Sequence, residues 1–186
     1  MEIDIGVLFA DMRGYTAFAE AEPPAEVARL LSRFYITAAG VLYKHDAFID
    51  KFVGDEVMAL FLTGFTGPAC FDKMAAAAEG ILRAVGYGSR EAPWLPHGIG
   101  MDFGPAFVGN VGAGEVKDFT AIGDVVNTAA RLQGEAKPGQ IVMSERVYQQ
   151  VAPRFPDARP VELALKGKSE PVAARVIELG ALPVSR

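Results

Sequence analysis

The 186 residues include 23 acidic and 18 basic side chains, a formal net charge of −5, with 51% hydrophobic and 22% charged residues. Such apolar content is too high for a disordered chain and sufficient for one substantial core, and the acidic balance argues against broad, nonspecific nucleic-acid binding while leaving room for a local phosphate site. The single cysteine, Cys70, excludes an internal disulfide and a cysteine-cluster metal site, and is expected to pack.

No apolar run reaches membrane-spanning length, and the opening MEIDIGVLF has neither the basic start nor the cleavage pattern of a signal peptide. A cytoplasmic location without membrane contact is therefore expected for this segment. Residues 3–10 read as a buried strand ending at Asp11. After Pro23-Pro24, the residues Val27, Leu30, Leu31, Phe34, Ile36 or Ala38, and Val41 recur at helical spacing and predict a long amphipathic helix. Residues 47–53 and 56–62 are two short apolar runs separated by Gly54-Asp55, a hairpin signal. The alanine-rich stretch 69–85 reads as a second helix, and 86–96 as a surface loop. HGIGMDFGPAFVGNVG, 97–112, reads as two strands around Gly104-Pro105, and ALKGKSEPVAARVIEL as a hairpin near the end.

Strand, helix, strand, strand, helix, strand is the α+β, ferredoxin-like βαββαβ order, here with C-terminal additions. No linker or internal repeat divides the chain, so residues 1–186 are expected to form one unit. In such a sheet the first strand lies between the third and fourth and runs antiparallel to the third. Asp11, at the end of the first strand, and Asp55, at the start of the third, are thus expected to be neighbours. Two carboxylates so placed repel unless a cation lies between them. Taken alone, a Gly-Asp pair is most often an ordinary solvated turn.

FADMRGYTAF (9–18), DKFVGDEVMALF (50–61) and FTAIGDVVNTAARL (119–132), followed by LKGKSEPV, stand in an order and spacing that resemble the catalytic domain of class III adenylyl and guanylyl cyclases. The resemblance runs through the whole chain and implies a palm-type core. It implies that Asp11 and Asp55 hold two Mg²⁺ or Mn²⁺ ions against a nucleoside triphosphate; oxygen ligands suit these hard cations. It further implies that Asn127 orients the ribose, that Arg131 meets charge growing on the α-phosphate, and that Lys166 reaches the terminal phosphates, with Lys117 of the 112–118 loop a further candidate. Asn127 and Arg131, four residues apart, share one face of a helix starting near Gly123-Asp124, where Asp124 reads as the N-cap. Arg13 receives no role, and His45 and His97, outside the motifs, read as surface or packing residues.

Lys51 and Thr120 match the family's base-reading pair: lysine donates to adenine N1 and the hydroxyl accepts from the exocyclic amine. The glutamate and cysteine of guanylyl members are absent. The resemblance therefore implies an adenylate cyclase of the Lys/Thr subgroup. Because Lys51 and Asp55 share one short hairpin yet serve distant parts of a nucleotide, it also implies a homodimer with two interfacial sites: Asp11 and Asp55 from one subunit, the other five residues from its partner. A catalytically silent, nucleotide-sensing module of the same fold is the alternative. A diguanylate-forming enzyme ranks lower, because KFVGDEV replaces its GGDEF-like hairpin.

Overall fold

In the computed structural model, which describes residues 1–113 and 116–179, eight strands form one mixed sheet in the order β2-β3-β1-β4-β6-β8-β7, with β5 paired to β4. The strands are β1 (Glu2–Met12), β2 (Phe48–Val53), β3 (Glu56–Leu62), β4 (His97–Ala113), β5 (Val116–Ile122), β6 (Gln140–Ser144), β7 (Arg159–Leu163) and β8 (Val172–Glu178). The helices are α1 (Tyr15–Ala21), α2 (Pro24–Lys44), α3 (Thr63–Thr66), α4 (Cys70–Ala84), α5 (Asp124–Glu135) and α6 (Glu145–Val151). The β1-α2-β2-β3-α4-β4 core has the expected ferredoxin-like order. β1 is antiparallel to both β3 and β4, and its last residues pair with the start of β3.

Alternation along β1 divides the core. Leu8, Ala10 and Met12 pack with Phe34, Ala38 and Leu42 of α2 and Met74, Ile81 and Leu82 of α4. Ile5, Val7 and Phe9 point to the opposite face, against Val125 and Ala129 of α5. Successive strand residues face opposite sides, so Asp11 continues the second row and emerges on the α5 side. On α2 the core position is Ala38; Ile36 is exposed. Cys70 packs in the core, as expected. His97 is fully buried against the Phe34 ring, 4.4 Å between centroids, and burial, reinforced by the nearby Arg13 charge, pushes its pKa down to about 3, so it packs as a neutral ring.

Three expectations are corrected. Residues 97–113 form one continuous strand of 17 residues rather than two. Gly104-Pro105 does not break it: Pro105 lies opposite Asp4 of β1, while on the other edge β6 pairs with residues 99–101 and β5 only from Phe107 onward. A residue without an N–H is tolerated where one edge of a strand has no ladder partner. The 112–118 segment is likewise the ends of β4 and β5 rather than a loop, except for 114–115, which lie outside the described residues. The 86–96 loop is not wholly superficial, since Leu95 is buried in the core. The terminal hairpin is β7-β8, with LKGKSEP in its connection.

Gly100 of β4 permits the close seating of α5. A Cβ at this position would lie 2.1 Å from the backbone nitrogen of Gln133 and 2.4 Å from the Ala129 carbonyl oxygen, and backbone atoms cannot swing aside. Gly100→Ala is expected to destabilise the fold by about 3 kcal/mol, at the upper end for overpacking, and to displace the helix bearing Asn127 and Arg131. Urea denaturation together with activity measured on the folded fraction checks both effects.

Candidate active site

Asp11 and Asp55 do meet. Asp11 pairs in register with Glu56, and the Met12 N–H donates to the Asp55 carbonyl at 3.3 Å. Asp55 follows Gly54, whose φ of 58° makes the hairpin turn in a conformation that favours glycine. Burial, then the adjacent Asp11 carboxyl, raises the Asp55 pKa to about 6; burial and the charges of Asp11 and Asp55 raise Glu56 to about 7. Crowded carboxylates of this kind resist ionising together, and a divalent cation removes that conflict. The paired oxygens thus fit a hard metal ion. Among the described residues no three His, Cys, Asp or Glu side chains are grouped to enclose a metal, so other ligands must come from elsewhere. Magnesium commonly binds one or two carboxylates along with substrate phosphates.

Sequence reasoning gave Arg13 no role, yet it belongs to this site. Its Nη1 donates to Asp11 Oδ2 at 2.9 Å, its Nε to the Ala136 carbonyl at 2.9 Å, and its Nη2 to the Gln133 carbonyl. The guanidinium ties the end of β1 to the end of α5 and supplies positive charge beside the carboxylates. Only its proximity to Asp11 was visible in the sequence; both backbone partners lie more than 100 residues away along the chain.

The base-reading candidates also converge. Lys51 Nζ contacts Asp118 Oδ2 at 2.7 Å and Asp50 Oδ2 at 3.3 Å, and Thr120 Oγ1 donates to the same Asp50 oxygen at 3.1 Å. Lys51 is therefore drawn to Thr120 across β2 and β5, and its hydrogen bond to Asp118 raises its pKa above the usual lysine value.

Asn127 is exposed on α5, and Arg131, one turn later, is partly exposed. The Arg131 guanidinium lies against Gly167 in the β7-β8 connection: a Cβ added to that glycine would be 3.1 Å from Nη2. Arg131 is thus beside the loop carrying Lys166, which is exposed. Lys168 instead pairs with Asp124, holding its carboxyl below the usual range. Asp124 is not the N-cap: Gly123 takes that position, and Asp124 begins the helix with its side chain directed to Lys168. Lys117 is exposed opposite Gly112. Among the described residues no helix is long and apolar enough to cross a membrane.

Residues 2–176 match the adenylate and guanylate cyclase catalytic domain family. The chain belongs to that family of nucleotide cyclase domains. It is 32% identical to an adenylate cyclase of Anabaena cylindrica over 94% of this chain and 36% of the relative, and 34% identical to an uncharacterised protein of Mycobacterium tuberculosis over 77% of this chain and 26% of that protein. The chain thus spans only about a quarter to a third of the length of the curated relatives it matches. Its fold is that of the adenylyl cyclase CyaB from P. aeruginosa, with a TM-score of 0.84 and 28% identity over 96% of this chain and 95% of the other. The guanylyl cyclase Cya2 is similar as well, with a TM-score of 0.80 and 28% identity over 97% and 94%. Relatives of both nucleotide preferences therefore share this architecture, and base choice has to be argued from side chains.

Proposed function

We propose that the chain is an adenylate cyclase domain that converts ATP to 3′,5′-cyclic AMP and pyrophosphate at sites shared between two identical subunits. The observation that carries ATP over GTP is the convergence of Lys51 and Thr120 on one carboxylate, Asp50. Lysine only donates, whereas a hydroxyl can accept; together they complement adenine N1 and its amine. Placed against the N1–H of guanine, the lysine would leave two donors facing each other, a mismatch costing about 1–3 kcal/mol.

Lys51 and Thr120 hold the base, Asn127 hydrogen-bonds the ribose, and Lys166 takes the terminal phosphates. The ribose 3′-oxygen then forms a bond to the α-phosphorus of the same nucleotide while the bond to pyrophosphate breaks and the hydroxyl proton passes to solvent. Nucleophile and electrophile share one molecule, so the residues act chiefly by imposing an in-line geometry. Arg131 donates to the charge growing on the α-phosphate, a contribution of about 10²–10³ in turnover for donors of this kind. Asp11 and Asp55 hold two divalent ions, Mg²⁺ or Mn²⁺. Such ions, when bound, acidify the attacking hydroxyl and stabilise the attacking and leaving oxygens.

The shared site is supported by the β4-β5 hairpin, where Phe107, Val111, Phe119 and Ile122 are all substantially exposed. Apolar groups clustered this way at a surface mark an interaction site. The test is direct: purified protein incubated with ATP or GTP and Mn²⁺ or Mg²⁺ is expected to yield cyclic AMP by mass, with GTP turned over more slowly. Linear hydrolysis products alone, or a preference for GTP, would count against the assignment, and metal-dependent nucleotide binding without turnover would favour the silent sensing module.

A further inference from the structure

Strand β2 carries one residue too many. Ile49 pairs with Ala59 and Lys51 with the adjacent Met58, so Asp50 is the extra residue of a β-bulge. Bulges re-aim side chains and recur beside active sites. The Asp50 side chain is completely buried, yet only Oδ2 is satisfied; Oδ1 is buried without a hydrogen-bond partner among the described residues. A half-satisfied buried carboxylate is poor material for stabilising a sheet. What it does make are two contacts, with the Thr120 hydroxyl and the Lys51 ammonium.

We propose that Asp50 is a positioning residue that commits the Thr120 hydroxyl proton to itself, leaving Thr120 an acceptor toward the base and thereby setting the preference for adenine. This rests on the adenine assignment above and deepens it. An isolated threonine is ambiguous, because its hydroxyl can accept from the adenine amine or rotate and donate to guanine O6. A carboxylate offers lone pairs only, so the proton in the 3.1 Å contact comes from Thr120. With that hydrogen engaged, lone pairs remain for the substrate. Lys51, held by Asp50 and Asp118, is donor-only. Guanine would then meet two mismatches, its N1–H against the lysine and its O6 against the hydroxyl lone pairs. Without Asp50 the second disappears.

Purine riboside triphosphate, which retains N1 but lacks the amine, isolates the contact in question. In the full chain with Mn²⁺, kcat/KM for ATP should exceed that for purine riboside triphosphate by about tenfold, the worth of one well-made hydrogen bond. Asp50→Ala and Asp50→Leu, the latter filling the vacated space, should keep ATP ahead of the analogue, because the released hydroxyl still accepts from the amine, and should improve GTP relative to ATP by about tenfold, because it can now also donate. Each ratio is taken on one preparation, so a loss of folded protein cancels. Thr120→Val should by itself bring the ATP-to-analogue ratio close to one, and in that background Asp50→Ala or Asp50→Leu should shift the GTP-to-ATP ratio no further. Asp50 variants that keep the wild-type GTP-to-ATP ratio, or that shift it equally in the Thr120→Val background, would overturn the positioning role while leaving the adenine assignment standing. A wild-type enzyme that fails to favour ATP over the amine-free analogue would overturn both.

Discussion

Asp11→Ala is expected to reduce cyclic nucleotide formation by at least about a thousandfold, since the several kcal/mol of charge stabilisation that a bound metal contributes would be lost. The fold should survive. Asp11 is partly exposed at the end of β1, and it pairs with Arg13, which keeps its hydrogen bonds to the Ala136 and Gln133 carbonyls when the carboxylate is gone. The substitution also removes a negative charge from beside Asp55 and Glu56, both of whose pKa values Asp11 helps to raise. Thermal unfolding should therefore change little, while product formation, followed by mass across a Mn²⁺ titration, should collapse. A variant that cyclises at the wild-type rate would remove Asp11 from the metal site and with it the reason for two acidic residues at adjoining strand ends.

Much of this site was legible because its signals are local. Gly54-Asp55 between two apolar runs announces a hairpin wherever it occurs, and the βαββαβ order then brings Asp55 to Asp11 without knowledge of any contact. The spacing of Asn127 and Arg131 needs only helical periodicity. What escaped depends on partners distant in the chain. Pro105 looked like a break because local rules cannot see that its free edge falls between β6 and β5. Asp124 has the preferences of an N-cap, but Lys168, 44 residues on, offers its carboxylate an ion pair instead. Arg13 gains its place through backbone carbonyls of α5 and the residue after it. Asp50 is the clearest case: it reads as one more polar residue before Lys51, and only the bulge and the contact to Thr120 reveal a buried carboxylate shared by both base-reading residues.

Mixing an inactive Asp55→Ala chain with an inactive Arg131→Ala chain is expected to restore about a quarter of the wild-type activity, the share set by two-fold symmetry. Half of randomly assorted dimers are mixed, and in each of these one site collects both defects while the other has an intact Asp55 from one chain and an intact Arg131 from its partner. The two residues belong to different elements, the β2-β3 turn and α5, and among the described residues no salt bridge joins them. Arg131 instead lies against Gly167 in the loop that carries Lys166, so its substitution should impair the partner half of the site and leave the paired carboxylates untouched. Activity should rise with the fraction of mixed dimers, measured by differential tagging, and should vanish when both substitutions are placed in the same chain and mixed with either parent. Demonstrated mixed dimers without recovery would mean that each chain builds its site alone, and Lys51 and Asp55, on one short hairpin, would then have to serve the base and the metals of a single nucleotide.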